Sequence, residues 1–527
     1  MSLINNAIEA MGSQNHPNAA NFHPRHQTSV GWWTSVKDWW SVSSALQKPT
    51  EKAVHTPQFA AARAQNVKIE YDLFRAVLSP DVYIYPPVAN AHEKDEPLAT
   101  SHAITARFLD TTLADGPVPG ACFIHEFELT HAPDLTVPRR HLVLIHGYMA
   151  AMGYFVKNLE AIAKSYPNLV VHVLDMPGFG NSARPAFPAS LLRLPKGASR
   201  ADEIRQIIDV ENWFIDKIEL WRIAKNLAHF DLVGHSMGAY VSSCYLLKYN
   251  KPPAKIVHSF MLVSPMGTES SDISLINDKS LQFNHHDVAS NPLDEIFATS
   301  ASCDQQLSHN DDASLSLWKR LGKPKFPRNA VLRALWNNHI SPFQLLQLSG
   351  PFYSKLLSFW SFQRFQHLSA NTVKSAKSTE AAQSTDSATA TATATASADP
   401  TNPSSEDDNV NLILKLHEYS FSIFNQYQAS GELAITKFIN HEIVPRLPLC
   451  DRGFVEYLND ANIRTLWMYG DKDWMNSKGG EYCVEKLQGL SSPATEHVTI
   501  SNAGHHIYLD NPEDFNNAVI DFFEYMH

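Results

Sequence analysis

Ser236 stands at the centre of Gly234-His235-Ser236-Met237-Gly238, with a short apolar run, Phe230 to Val233, before it and an amphipathic stretch, Ala239 to Tyr249, after it. This is the sequence form of a nucleophile elbow, a serine carried on a tight strand-to-helix turn. Gly234 and Gly238 leave out the Cβ atoms that would collide with neighbouring backbone in such a turn. The hydroxyl is then exposed above a sheet edge beside a helix N-terminus, a position suited to a nucleophile and to the anion formed by its attack. The chemistry indicated is acyl transfer from an ester.

A neutral serine is a poor nucleophile near pH 7, so a histidine must take its proton, and a carboxylate must fix the tautomer of that histidine. On this architecture the acid and then the histidine follow the serine, each at the end of a later strand. Ile463 to Tyr469 reads as a buried strand running into Gly470-Asp471-Lys472-Asp473, and His497 to Ser501 runs into Asn502-Ala503-Gly504-His505-His506. We take His505 as the base and Asp473 as its orienting acid, with His506 and Asp471 as the alternative in each pair. Two backbone amides should receive the oxyanion, those of Met237 and of Tyr148 (or Met149), the latter in the loop opened by His146-Gly147 after the apolar strand Leu142 to Ile145. Such a donor is typically worth about 3 to 4 kcal/mol of barrier. Asp175 ends another strand, Val170 to Leu174, but precedes the serine, so a turn or loop-anchoring role is expected for it.

From about residue 65 to 267 strand and helix patterns alternate, which predicts a mostly parallel sheet with helices on both faces. Residues 117 to 131 alternate apolar and polar, as an early antiparallel strand would, and Glu203 to Lys225 reads as one amphipathic helix or a pair. The sheet pattern stops between Gly267 and about Asp451, the usual position of a cap over the site. His146-Gly147, the turn Asp175 to Ser182, Gly234 to Gly238, Gly470 to Asp473 and Gly504-His505 together resemble the α/β-hydrolase fold. A narrower resemblance is carried by Trp213 to Arg222, Ser264-Pro265-Met266-Gly267, Ser341-Pro342-Phe343 to Gly350-Pro351, and Ser430-Gly431-Glu432. These are similar to the subfamily of the lipid-droplet lipase co-activator, the N-acyl-phospholipid lipase and the fungal mitochondrial cardiolipin deacylase.

That resemblance implies a serine phospholipase acting at a membrane surface, with anionic mitochondrial lipid, cardiolipin above all, as substrate. It also supplies two other readings. His505 and Asp510 form an H-x4-D pattern that the family links to lysophosphatidic acid acyltransferase activity, although Asp510 or Asn511 would equally cap a final helix opened by Pro512. A non-catalytic co-activator is the third, disfavoured because that member's elbow lacks the serine present here. A mitochondrial location rests on the same analogy, with cytosol or the lipid-droplet surface as alternatives; Arg25 is the only Lys or Arg in the first 36 residues, a weak targeting signature.

The 527 residues divide into a tail (1–65), a core in two parts (66–267 and 451–527) and a helical cap (268–450). A net charge of −11 argues against nucleic acid as partner. Five scattered cysteines without C-x-x-C spacing suggest reduced thiols and no zinc site, no cofactor or metal is called for, and oligomeric state is not legible. No apolar run is long enough to span a bilayer.

Two segments bear on a lipid surface. Trp32-Trp33 and Trp39-Trp40 lie seven positions apart, which on a helix returns each to within about 20° of its mate; an indole-rich face of this kind suits the headgroup layer, and packing on the hydrolase domain is the rival. Lys319, Arg320, Lys323, Lys325, Arg328 and Arg333 occur in a stretch without acids, near Trp318, Trp336, Phe343, Phe352, Tyr353, Phe359, Trp360, Phe362 and Phe365. A basic and aromatic lid could hold an anionic headgroup. Lys374 to Asn409, rich in Ser, Thr and Ala, reads as a disordered insertion.

Overall fold

Leu142 to Ile145 is apolar at every position, as a strand covered on both faces must be. In the computed structural model, residues 30–46, 57–87, 103–114, 122–134, 136–251, 255–270, 274–276, 330–365, 368, 404–425, 429–440, 443–490 and 494–524 are described. Among them the strands β1 (Val82–Ile84), β2 (Ile104–Thr112), β3 (Phe123–His131), β4 (Arg140–Ile145), β5 (Leu169–Leu174), β6 (Phe230–His235), β7 (Val257–Val263), β8 (Arg464–Gly470) and β9 (Thr495–Ile500) form one sheet. Its order is β1-β2-β3-β5-β4-β6-β7-β8-β9. From β5 to β9 all neighbours run parallel, while β3 is antiparallel to both β2 and β5, in line with the alternation read in its sequence. The parallel strands therefore send their C-terminal loops to one edge, where open α/β sheets bind ligands.

The principal helices are α1 (Trp32–Leu46), α2 (Pro57–Val77), α3 (Arg200–Ala224), α4 (Met237–Tyr249), α5 (Tyr353–Phe365), α6 (Ser404–Asn425), α7 (Ser477–Gly489) and α8 (Pro512–Glu524). Alternate β4 residues feed two cores. Leu142 and Leu144 face Leu73 and Phe74 of α2, Phe515 and Val519 of α8 and the inner sides of α5 and α6. Val143 and Ile145 face Ile207, Phe214 and Trp221 of α3, Tyr240 and Tyr245 of α4, and Leu487 of α7. Burying each such side chain contributes roughly 1.5 to 3 kcal/mol before ordering costs are set against it. The stretch read as one helix or two is a single helix, α3, opened by a capping box in which Ser199 and Asp202 exchange side-chain and backbone hydrogen bonds.

Two expected boundaries move. The amino-terminal tail gives way before residue 65, because α2 begins at Pro57 and turns Asn66, Glu70, Leu73 and Phe74 into the interior. Of the insertion expected to stay unfolded from Lys374 to Asn409, residues 374–403 lie outside the described residues, and the last six are helical because α6 starts at Ser404. A long helix with buried Ile413, Leu416, Tyr419 and Ile423 on its inner side extends past the point where its apolar pattern becomes legible.

The helical segment between β7 and β8 is pinned to the core by polar contacts. Arg184 pairs with Glu432 at 2.6 Å, both buried, and Glu432 also accepts from the Ser430 amide at 2.9 Å. Gly431 donates to the Gly178 carbonyl, and a Cβ on Gly178 would lie 2.5 Å from the Gly431 nitrogen, so only glycine permits that approach. At the far end of the segment Arg452 grips both carboxylate oxygens of Glu211 at 2.8 and 3.0 Å, and Tyr240 of α4 donates to the same carboxylate.

Candidate active site

Ser236 sits between β6 and α4 with φ 53 and ψ −118, a conformation that L residues rarely adopt and that is held only by its surroundings. The cost, on the order of 1 to 3 kcal/mol, is borne because the flanking glycines let the chain close around the turn. A Cβ on Gly234 would stand 2.6 Å from the Ala239 Cα, and one on Gly238 2.3 Å from the His146 carbonyl oxygen.

Ser236 Oγ lies 3.0 Å from His505 Nε2, and His505 Nδ1 lies 3.0 Å from Asp473 Oδ1. Asp473 Oδ1 also accepts from the Met475 amide at 3.0 Å, whereas Oδ2 is buried with no hydrogen-bond partner among the described residues. The open choices within each pair are thereby separated. Asp471 accepts from the Ala503 amide at 3.0 Å and ties the acid loop to the histidine loop. His506 turns toward Arg364 of α5.

Further contacts set the histidine loop. His235 Nε2 lies 2.9 Å from the His505 carbonyl, which can only accept, so this ring donates there and takes the Tyr508 hydroxyl on Nδ1 at 3.3 Å. Burial, then the nearby His505, holds its pKa well below the ordinary value, consistent with a neutral ring. Asp510 accepts from the Gly504 amide at 2.8 Å, so it anchors the loop, while Asn511 caps α8 through the Asp514 amide. The sequence offered either residue as the cap and Asp510 also as partner of His505 in the H-x4-D pattern; the cap is Asn511, and the His235 bridge carries no motif that could have announced it.

The two amides expected to face an oxyanion follow β4 and open α4. Met237 opens α4, so its amide has no acceptor within the helix. Gly147 brings the loop carrying Tyr148 against the elbow, where a Cβ would stand 2.9 Å from the Ser236 Cβ. Met149 holds φ 50, and the Tyr148 hydroxyl accepts from the Phe343 amide at 3.3 Å. His146 donates from Nδ1 to the Gly147 carbonyl at 2.8 Å and accepts the Met176 amide on Nε2 at 3.0 Å; burial lowers its pKa to about 4. Asp175 is a loop anchor, accepting from the Met152 and Asn181 amides at 2.9 and 2.7 Å, and burial followed by the charge of Glu70 raises its carboxyl to about 7.

Trp474 lays its indole 4.5 Å from the His505 ring, centroid to centroid, and remains 46% exposed, so one apolar face stands at the mouth of the site. The helix α1 divides its tryptophans. Trp32 packs edge-on to Phe352 and Trp39 is half-buried beside Gly350, while Trp33 and Trp40 are 75% and 69% exposed. Ser35 donates to the Pro351 carbonyl at 2.6 Å, and Asp38 accepts from Ser354 at 2.5 Å. One face therefore packs and the other faces outward.

Of the basic and aromatic lid, Trp318, Lys319, Arg320, Lys323, Lys325 and Arg328 lie outside the described residues. Most of its aromatics are core: Phe343, Tyr353, Trp360, Phe362 and Phe365 are buried, Trp336 is half-buried and donates to the Ile439 carbonyl, and Phe352 and Phe359 are exposed. Helical amphipathicity hid this, because the rings on the inner side of α5 serve packing. Cys122, Cys244, Cys450 and Cys483 are reduced thiols, with the last two 3.6 Å apart. Among the described residues, the cluster of ligand-type side chains Glu126, Glu128 and His172 is already bridged by Lys225 at 2.8 and 2.6 Å. No helix among them is long and apolar enough to cross a membrane.

Residues 140–512 match the family model described as alpha/beta hydrolase fold. The chain is similar to a 1-acylglycerol-3-phosphate O-acyltransferase of Arabidopsis thaliana, 27% identical over 379 residues that make up 72% of this chain and 65% of the relative. It is similar also to the 1-acylglycerol-3-phosphate O-acyltransferase ICT1 of Saccharomyces cerevisiae, 25% identical over 444 residues, 80% of this chain and 91% of the relative. Over 129 residues it is 33% identical to the human (lyso)-N-acylphosphatidylethanolamine lipase, covering 24% of this chain and 31% of the relative. The chain thus spans slightly under two thirds of the plant relative's length. These relatives fall in the subfamily to which the short motifs pointed.

Proposed function

Since the chain belongs to the α/β hydrolase fold family, we propose that it is a serine acyl hydrolase of phospholipids working at a membrane surface. The observation that carries this reading is the chain of 3.0 Å contacts from Ser236 through His505 to Asp473. His505 takes the hydroxyl proton as Ser236 Oγ attacks an ester carbonyl, Asp473 stabilises the imidazolium, and the amides of Met237 and Tyr148 receive the oxyanion. The proton returns to the departing glycerol oxygen, and water then repeats the sequence in reverse to free the fatty acid.

A lipid-modifying role is supported by relatives named as acyltransferases and as a lipase. The glycerophospholipid class, cardiolipin in particular, and a mitochondrial membrane follow from the subfamily resemblance. Purified protein incubated with cardiolipin vesicles is expected to release fatty acid, and Ser236→Ala to lower the rate about a million-fold. Release untouched by that substitution refutes the mechanism.

The names of the plant and yeast relatives favour a second reading, in which lysophosphatidic acid replaces water as acceptor. Labelled acyl-CoA incorporated into phosphatidic acid in excess of free fatty acid selects it. Both readings share Ser236; they differ in how dry the site stays while the acyl group waits.

A further inference from the structure

Arg364 ends α5 and reaches two loops of the site at once. Its Nη1 donates to the Met149 carbonyl at 2.5 Å, in the loop that carries Tyr148. Its Nη2 contacts Nε2 of His506, the residue after His505. A guanidinium only donates, so His506 must present a lone pair at Nε2 and keep its proton on Nδ1. The cation lies 4.8 Å from the Tyr154 ring centroid and 5.1 Å from that of Trp360.

What distinguishes this arginine is its choice of partners. Arg184 and Arg452, which fasten the same segment to the core, each face a buried carboxylate. Among the described residues Arg364 has no carboxylate partner, and its Nε is buried without an acceptor. Arg364 is half-buried, and a cation placed there only to fasten a helix to the core would be expected to meet an acid, as Arg184 and Arg452 do. Here the charge is spent on a carbonyl and an imidazole belonging to the two loops that flank Ser236. The loop on the carbonyl side contains Met149 at φ 50, a backbone state that needs an external hold.

We propose that Arg364 is a positioning residue for the reaction at Ser236, clamping the amide-bearing loop 146–149 and the histidine loop 502–506 into one arrangement. The inference rests on the reading of Ser236 as nucleophile. Arg364 touches no reacting atom; it acts through the Tyr148 amide on one side and through the backbone that carries His505 on the other. Seating α5 and assembling the catalytic groups thereby become a single event.

The test compares the full chain with its Arg364→Ala and Arg364→Lys variants by two measurements. The first is hydrogen exchange of backbone amides. Segments 146–152 and 502–508 are expected to exchange faster together in Arg364→Ala, with partial recovery in Arg364→Lys and no change in β6 or β8. The second is the rate at which a fluorophosphonate labels Ser236. It should fall at least tenfold in Arg364→Ala, recover in part with millimolar guanidinium, and be absent in Ser236→Ala. Unchanged exchange in both loops, a response in one loop alone, or loosening that extends through β6 and β8 overturns the clamp. Failure of the wild type to be labelled overturns the nucleophile reading instead, and the exchange data still decide the clamp. Should the alanine variant fail to fold, the lysine variant carries both measurements.

Discussion

At Ser236 the backbone torsion, the two glycine contacts and the 3.0 Å approach of His505 describe one device. Asp473→Asn leaves the side chain its size but lets the amide favour the wrong imidazole tautomer, so kcat should fall about ten-thousand-fold with little change in KM. Steady-state kinetics on any turned-over ester check it. Gly147→Ala has a steric consequence. Its Cβ would meet the Ser236 Cβ at 2.9 Å and His235 Nδ1 at 2.8 Å, so the site is displaced before the fold is. We expect labelling of Ser236 to be lost while most of the helical circular dichroism remains. The meeting of Ser236, Asp473 and His505 was legible in the sequence because each lies in a short loop after an apolar strand. His235 escaped because the carbonyl it binds lies far along the chain, which leaves no local spacing to read, whereas Asp510 stood out by its spacing from His505 but its hold on the Gly504 amide did not.

Among the elements, the segment between β7 and β8 shows what amphipathic patterns can and cannot convey. They placed helices there but did not tell packing rings from free ones, and Phe362 and Phe365 proved to be core. Nor did they show that Glu432 would be buried against Arg184. Removing one partner of such a pair leaves the other charge uncompensated, so Glu432→Gln should destabilise by about 3 to 5 kcal/mol. Chemical denaturation of the variant tests this. The α1 helix makes the complementary case, since its seven-residue spacing was legible while the division of its indoles between packing and exposure was not. Under the proposed membrane role, Trp33→Ala with Trp40→Ala should weaken binding to anionic vesicles in a flotation assay while leaving turnover of a water-soluble ester unchanged.

Across the whole molecule, a buried charge network joins α2, the sheet and α6. His125 lies 2.7 Å from both Glu70 and Asp110, and Tyr419 donates to Glu70 at 3.0 Å. Burial by itself would lower the pKa of His125, but the charge of Glu70 and then the bond to Asp110 lift it to about 10, above its ordinary 6.5. A raised pKa means that the folded state holds the proton more tightly than the unfolded chain. Its stabilisation is therefore complete below about pH 6.5 and fades as pH climbs through about 10. Melting temperatures of wild type and His125→Gln should differ most in mildly acidic buffer and converge toward pH 10; a constant gap would contradict the assignment. The parallel part of the sheet was foreseeable from alternating strand and helix patterns, but this network was not, because its members come from four separated stretches of chain.

The collisions that a methyl group would meet at Gly147, Gly234 and Gly238 bear on how such a protein can diversify. Around the serine, heritable variation has almost no room, since even the smallest side chain strikes backbone or the nucleophile itself. New preferences for one lipid over another must instead arise in the inserted helices, whose outward residues can be exchanged freely as long as their few buried fastenings are kept.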